Sequence, residues 1–393
     1  MKTKQKVKIK KVKTDKYYKR IFCLIVTLIS LLTFFIATWF CGDTSTINYI
    51  NAYDFSIEPT KIEITKHPTE NYVEINNKTG RPLKILQLSD LHIGCGYLSL
   101  SLDKKLVNEV FKCVSIVNPD LIIVTGDAIS PIYITSGTRN SYLQIDAFIN
   151  LMEKLNRPYT YTFGNHDERG LASKKYFSNK LELAPNSFYL SGDKNLSGEG
   201  NYYAKVLNDG ILVSSLMFLD NGTGNFIERY KGIDNNQLVW YEKSINSLKQ
   251  EKSTIKNLLF MHIPLPEYKN AYTRWSNGDE NYVKILGSKN EKFSPTKQNG
   301  LYEKIKNLDV TKWLFCGHNH TNNFSILELS TGITFSYGMS MDYSAYPLLK
   351  FKNEYRGGKT IEINNLGEVS IKLAPQKLNY TECVMWFFKK TLL

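Results

Sequence analysis

Five short apolar runs in this chain end in residues that bind metals, and together they claim five of its six histidines. Ile85–Leu88 is followed by Ser89-Asp90-Leu91-His92, Leu121–Val124 by Thr125-Gly126-Asp127, and Tyr159–Phe163 by Gly164-Asn165-His166-Asp167. Leu258–Met261 is followed by His262, and Trp313–Cys316 by Gly317-His318-Asn319-His320; only His67 lies elsewhere. Apolar runs of this length, bounded by turn residues, read as buried strands. The carboxyl ends of strands in an α/β sheet form one rim where ligands bind. The chain must therefore fold so that all five loops reach a single cleft. A lone Asp-x-His or Gly-Asp is ordinary turn or cap chemistry; five in fixed order, each closing an apolar run, are not.

The rest of the pattern supports α/β layers. Leu83–Leu88, Leu121–Thr125, Tyr159–Phe163, Ile211–Leu219, Leu258–Met261 and Trp313–Phe315 read as strands. Asp103–Val117, Leu143–Leu155 and Asp234–Lys249 have helical spacing, with Asp103 and Asp234 as expected N-caps. Strand–helix alternation of this kind builds layered α/β folds. Phe324–Leu329, Ile333–Tyr337 and Thr360–Ile363 suggest a more antiparallel finish. Residues 42–82 are polar with short alternating stretches at Lys61–Thr65 and Tyr72–Ile75, which reads as a stalk passing into a first hairpin. Residues 264–300 are long, polar and poor in aliphatics, and read as an insertion loop facing the substrate. The expected division is a basic tail (1–20), a transmembrane signal anchor (21–41), stalk and leading strands (42–82), a catalytic body (83–375) and a C-terminal tail (376–393).

The net charge of +13 is local. Residues 1–20 hold ten basic side chains against Asp15 alone, and the remainder of the chain carries only +4. No basic stripe falls on the body, so nucleic acid is not an expected partner. The basic run instead flanks Ile21–Cys41, 21 residues without a charge, close to the ~20 needed to cross a bilayer core. A cleaved leader has a shorter apolar stretch and small residues before the cut. Here the exit reads Ala37-Thr38-Trp39-Phe40, with Trp39 placed as an interfacial anchor. Because lysines and arginines stay cytoplasmic, the expected topology is single-pass type II, with the body extracytoplasmic or lumenal.

Cys23 and Cys41 lie in or at the span, leaving Cys95, Cys113, Cys316 and Cys383 in the body, and none has C-x-x-C spacing. Four cysteines allow three pairings, among which the sequence does not choose. Sequons include those at Asn77, Asn195, Asn221, Asn323 and Asn379.

The set Asp90-x-His92, Gly126-Asp127, Gly164-Asn165-His166-Asp167, His262 and Gly317-His318-x-His320 resembles the complete motif set of the calcineurin-like metallophosphoesterases, over about residues 83 to 345. The run His262-Ile263-Pro264-Leu265-Pro266-Glu267-Tyr268, with Phe218-Leu219-Asp220 before it, is similar to the purple-acid-phosphatase-like group of membrane or secreted phosphatases. The resemblance implies a four-layer α/β/β/α sandwich of two mixed sheets. It implies one metal held by Asp90, His92, bridging Asp127 and His320, and a second by Asp127, Asn165, His262 and His318. Such mixed carboxylate, amide and imidazole donors suit two divalent or trivalent ions, Mn, Fe or Zn. A bridging carboxylate sets the ions about 3.5–4 Å apart, the geometry of an in-line displacement in which an activated water attacks phosphorus. His166 would assist the leaving group, with Asp167 orienting it or capping a turn.

Two departures narrow the class. True purple acid phosphatases carry a tyrosine ligand three residues after the bridging aspartate, where this chain has Ser130, so no purple colour is expected. The phosphoprotein phosphatases carry an aspartate there. The expected function is thus a membrane-anchored phosphoesterase acting on phosphate esters. The alternatives are an inactive binding or adhesion module, a phosphodiesterase acting on nucleotides or lipid head groups, and an intracellular nucleic-acid enzyme of the same fold. Candidate substrate contacts are Glu267, Tyr268, Arg274 and Asp342-Tyr343.

Overall fold

The computed structural model describes residues 2–222, 230–297, 300–345 and 356–374. The chain opens with α1 (Lys2–Cys41), whose segment Lys16–Cys41 has a mean hydropathy of 2.6 in its most apolar window and is long and apolar enough to cross a membrane. There follow α2 (Ser45–Ala52), the hairpin β1 (Ile62–His67) and β2 (Tyr72–Asn77), then β3 (Leu83–Leu88), α3 (Leu100–Val117), β4 (Leu121–Thr125), α4 (Tyr133–Ser136), α5 (Ser141–Lys154) and β5 (Tyr159–Thr162). The middle of the chain supplies α6 (Lys174–Leu183), β6 (Tyr202–Asn208), β7 (Ile211–Phe218), α7 (Asn235–Glu251), β8 (Asn257–Phe260) and α8 (Pro266–Ser276). It closes with β9 (Tyr282–Leu286), α9 (Leu301–Leu308), β10 (Thr311–Cys316), β11 (Ser325–Glu328), β12 (Ile333–Tyr337), β13 (Lys359–Ile363) and β14 (Val369–Leu373).

Two mixed sheets result. A nine-stranded sheet runs β1-β2-β6-β7-β8-β10-β12-β11-β9, and a five-stranded sheet runs β14-β13-β3-β4-β5. The strands that lead to the histidine-bearing loops are parallel: β3 to β4 to β5 in the small sheet, and β8 to β10 in the large one. Burial on both faces explains why β4 reads as the unbroken apolar run Leu-Ile-Ile-Val-Thr. Alternation within a strand divides its side chains between two cores. Leu216 and Phe218 of β7 and Leu258 and Phe260 of β8 join Ile85 and Ile123 in the core between the sheets, and the same cluster continues through the small sheet to α3 and α5 on its other face. Their neighbours Met217, Leu259 and Met261 face outward, where Tyr241 and Ile245 of α7, Tyr268 of α8 and Ile305 of α9 cover them. The order is helix, sheet, sheet, helix.

Local chemistry sets the helix ends. Asp234 caps α7 in a capping box with Gln237. Asp103 does not cap α3. That helix begins three residues earlier, after Ser99, and the buried Asp103 carboxylate accepts hydrogen bonds from the amides of Gly94 and Cys95 and the hydroxyls of Ser99 and Thr46. The preceding loop supplies so many donors that the acid is more useful inside.

Residues 42–82 do not form a free stalk. Ile50 of α2 is buried in the main core, Tyr53 stacks on Phe111, and β2 pairs with β6 inside the large sheet. Nor is 264–300 a loop throughout. Pro266 at the first turn starts α8, and β9 adds an edge strand beside β11. The stretch looked structureless because its buried face uses Tyr268, Ala271, Tyr272 and Trp275 at helical spacing in place of aliphatics. Among the described residues the cysteines are unpaired, with Cys95, Cys113 and Cys316 buried in separate places. Asn77, Asn221 and Asn323 are buried, while Asn195 is exposed. Cys383, Asn379 and the tail 376–393 lie outside the described residues.

Candidate dinuclear metal centre

The rims of the two sheets are stitched together directly beneath the histidine-bearing loops. Gln87 at the end of β3 donates to Thr125 Oγ1 (3.1 Å) in its own sheet and to the Cys316 carbonyl (3.2 Å) in the other. His262 Nδ1 lies 2.7 Å from the Thr125 carbonyl. A carbonyl only accepts, so this bond places a proton on Nδ1 and leaves Nε2 as the ring nitrogen that faces the cleft and could bind a metal.

The turns that carry the candidate ligands are conformationally unusual. Asp90, His92, Asp127 and His318 all have left-handed backbones, with φ of 50°, 52°, 53° and 72°. Side-chain-bearing residues adopt this region sparingly, and clusters of such residues mark functional sites. Close approach dictates two of the motif glycines. A Cβ on Gly164 would lie 2.2 Å from Asp127 Oδ1, and one on Gly317 would lie 1.9 Å from Ser89 Oγ.

Two groups of metal-binding atoms form, Asp90 with His92 and His320, and Asp127 with His262 and His318, the atoms of each lying within 4.8 Å of one another. One oxygen, Asp127 Oδ2, faces both groups, 3.2 Å from His262 Nε2 and 3.8 Å from His92 Nε2. The other, Oδ1, accepts from the His166 amide at 2.7 Å. Asp90 is held by the His318 amide (3.0 Å) and the Ser89 hydroxyl (2.5 Å) and approaches His320 Nε2 to 3.4 Å. The buried Asn165 Oδ1 has no hydrogen-bond partner, and His262 Nε2 has only the Asp127 carboxylate beside it. Buried polar atoms are normally satisfied, so an orphaned amide oxygen and an imidazole nitrogen beside two carboxylates fit a metal site.

Electrostatics agree. Burial opposes charge on His262 and His320, yet Asp127 carries His262 up to about 10 and Asp90, with Asp342, carries His320 up to about 9. Burial pushes Asp90 up, and the surrounding imidazoles hold Asp127 well below the usual carboxylate range against the same burial. The pair of acids demands positive charge in a place water does not reach. Burial takes His166 down to about 3 although Asp127 pulls the other way.

Asp167 does not face the cleft. Its carboxylate accepts from the amides of Asp127 (3.1 Å), Ala128 (3.1 Å) and Gly164 (2.7 Å) and from the Tyr161 hydroxyl (2.6 Å), so it ties the 126–128 turn to the 164–167 turn. Three rim candidates lie away from the cleft. Tyr268 packs on Phe335 and Tyr337 in the outer core, Arg274 pairs with Asp279 at 2.7 Å in solvent, and Glu267 is buried in the first turn of α8. Asp342 is buried, 3.5 Å from His320 Nδ1, and Tyr343 is buried beneath Lys105 and Arg356.

The cleft, about 200 Å³, is lined by Asp127, Asn165, His166, His318 and His320, and also by residues the motifs did not nominate, notably Arg169, Tyr230, Asn319 and Ser294. Arg169 had a legible signal, being the one cation in the 164–170 loop. Asn319 lies between the paired histidines and is held by Glu291, Lys292 and Tyr337.

Residues 83–322 match the family model for calcineurin-like phosphoesterase, which is more than half of the chain. The chain belongs to the calcineurin-like phosphoesterase family. It is 27% identical over 271 residues to phosphatase DCR2 of Saccharomyces cerevisiae, covering 63% of this chain and 46% of that protein, so the chain spans about half the length of this relative. It is 27% identical over 310 residues to a protein of Arabidopsis thaliana named probable inactive purple acid phosphatase 14, covering 69% and 73% of the two chains. The crystal structure of a dimetal phosphatase from Danio rerio superposes with a TM-score of 0.48 at 11% identity, over 75% of this chain and 97% of that one. As a phosphoesterase-family chain, it has the family's α/β architecture of two mixed sheets and two groups of residues that could hold metal ions.

Proposed function

We propose that this chain is an active, membrane-anchored phosphoesterase of type II topology whose body works outside the cytosol. One observation carries the catalytic reading: Asp127 Oδ2 faces both metal-binding groups in a cleft that also holds His166 and Arg169. Asp90, His92, Asp127 and His320 would hold one ion, and Asp127, Asn165, His262 and His318 the other. When bound, such a pair activates water and neutralises charge on the phosphoryl oxygens. The remaining work belongs to the chain. His166, whose Nε2 lies 4.0 Å from Asp127 Oδ2, holds a proton for the leaving oxygen, because an anionic phosphate beside it favours the charged imidazole that burial otherwise suppresses. Arg169 draws the phosphate into the cleft. Asp167 acts as a positioning residue by tying two ligand turns together, and Asp342 does so through His320.

A binding module predicts loss of ligand positions, and this chain keeps them all, which favours catalysis even though some relatives are named inactive. The anchor reading rests on the exposed apolar segment of α1 beside its basic flank. The test uses the detergent-solubilised full chain, stripped of metal and reloaded with Mn, Fe or Zn, against a chromogenic phosphate monoester and the matching diester. Turnover should require metal, vanish in Asp127→Asn, and fall by roughly 10²–10⁴-fold in His166→Ala with metal content retained. A folded, metal-loaded chain that hydrolyses no phosphate ester, soluble or lipid, overturns the reading in favour of a binding module.

A further inference from the structure

The exit of the apolar helix is clamped onto the catalytic body with no spacer. The Arg139 amide and the Thr138 hydroxyl donate to the Trp39 carbonyl (3.0 and 3.2 Å), Thr38 Oγ1 meets the Tyr133 hydroxyl (2.7 Å), and the Asp43 amide donates to the Cys95 carbonyl (2.7 Å). Tyr133 packs between Phe35 and Trp39, with ring centroids 5.0 and 5.1 Å away. Around this junction the body is apolar where a soluble domain is polar: Ile134 is 85% exposed, and Tyr97, Leu98 and Leu171 are exposed beside it. Exposed apolar groups gathered around the end of a membrane-length helix form a surface that rests on lipid.

A groove of about 580 Å³ opens in that collar, between Phe35 and Trp39 of the helix and the 131–134 turn of the body, with Arg139 and Arg169 at its head. Ile132 and Arg169 line both this groove and the catalytic cleft, so the two adjoin. The Arg139 guanidinium lies over the Trp39 ring at 5.5 Å and donates to the Arg169 carbonyl, while its buried Nε has no hydrogen-bond partner. Among the described residues no carboxylate pairs with either arginine. An apolar trough at bilayer height that ends in two guanidiniums with no carboxylate partner and adjoins the candidate metal cleft is complementary to an acyl chain carrying a phosphate.

We propose that the substrate is a membrane-resident lipid phosphate monoester. Its acyl part lies against Phe35, Trp39 and Ile134, and its phosphate passes Arg139 and Arg169 into the cleft. Water adds to phosphorus, the ester P–O bond breaks, and the departing lipid alcohol takes the proton. Inorganic phosphate leaves on the aqueous side, and the alcohol stays in the bilayer. The small cleft suits a terminal phosphate, and the short tether at Gly42 holds the body against the membrane surface. This inference rests on the phosphoesterase reading above.

The full chain is tested in proteoliposomes with dioleoyl phosphatidic acid, beside glycerol 3-phosphate and a chromogenic monoester in the same vesicles. The expected result is at least a hundredfold preference for the lipid phosphate over glycerol 3-phosphate, with the lipid-to-soluble ratio lowered at least tenfold in Ile134→Asp. Binding is read separately in the metal-stripped chain with a photoactivatable acyl analogue of phosphatidic acid, which should label the 131–139 peptide more than a neutral lipid analogue does. Hydrolysis of the soluble esters with no preference for lipid, or an unchanged ratio in Ile134→Asp, or equal labelling by both analogues, overturns the lipid assignment and leaves the phosphoesterase reading standing. Hydrolysis of neither class by metal-loaded protein removes both.

Discussion

Replacing Asp342 by asparagine isolates a contact that the structure makes and the motif set does not mention. Asp342 is buried, its Oδ2 lies 3.5 Å from His320 Nδ1, and His320 Nε2 in turn faces Asp90 at 3.4 Å. The carboxylate therefore fixes the ring and keeps the Nδ1 proton in place, leaving Nε2 to bind metal, and its charge helps lift His320 to about 9. At that separation and an effective dielectric near 20, the gross attraction between full charges is on the order of 5 kcal/mol. Much of that is offset by desolvation, and partners of this kind are generally worth 10–100-fold in metal affinity, or about 1.4–2.7 kcal/mol. Asparagine keeps an oxygen for the Ser344 and Ala345 amides that Asp342 now serves, so the fold survives. Metal affinity, measured by competition with a fluorescent chelator, should fall 10–100-fold while the metal-free melting temperature holds. An affinity within twofold of the unsubstituted chain refutes the positioning role.

Three further outcomes follow from particular contacts. Gly164→Ala drives a Cβ to 2.2 Å from Asp127 Oδ1 and 2.5 Å from the Asp127 amide, so metal binding should fall at least tenfold with the far-ultraviolet circular dichroism unchanged. Lys359 is buried between the sheets on Ser325, Ser336 and the Asn323 carbonyl, and burial takes it from 10.5 to about 7. Above pH 7 the folded chain has released this proton while the unfolded chain still binds it. Stability should therefore rise between pH 7 and 9 by up to about 2.7 kcal/mol, and the urea midpoints of Lys359→Met should lack that rise. If the body is lumenal in a eukaryotic secretory route, Asn195 should be glycosylated and the buried Asn77, Asn221 and Asn323 should not; Asn195→Gln should abolish the glycosidase-sensitive shift contributed by that site.

The place of the candidate site was legible because its residues obey a rule that sequence displays, namely that ligand-binding side chains gather where parallel strands end. The apolar runs before Asp90, Asp127, Asn165, His262 and His318 became β3, β4, β5, β8 and β10 with shifts of a residue or two. What escaped reading depends on direction and partnership, which spacing does not encode. Asp103 looked like a cap and turned inward to serve a loop; Asp342 looked like rim and lies beneath His320. Residues 264–300 looked featureless because aromatic side chains carry the buried face of α8. Part of the apparent stalk's polarity is that of an edge strand, β1 exposing Glu63 and Thr65. Arg169 and Tyr230 reach the cleft from loops whose course only the folded chain defines.

The central claim is that one cleft holds two ions sharing Asp127. The most direct measurement is metal stoichiometry on the full chain after loading, joined to anomalous scattering from the loaded crystal. Two ions per chain, about 3.5–4 Å apart in contact with Asp127, and loss of the pair in Asp127→Asn, are the predicted results. A folded chain that binds one ion or none, or two ions that do not share Asp127, contradicts the account.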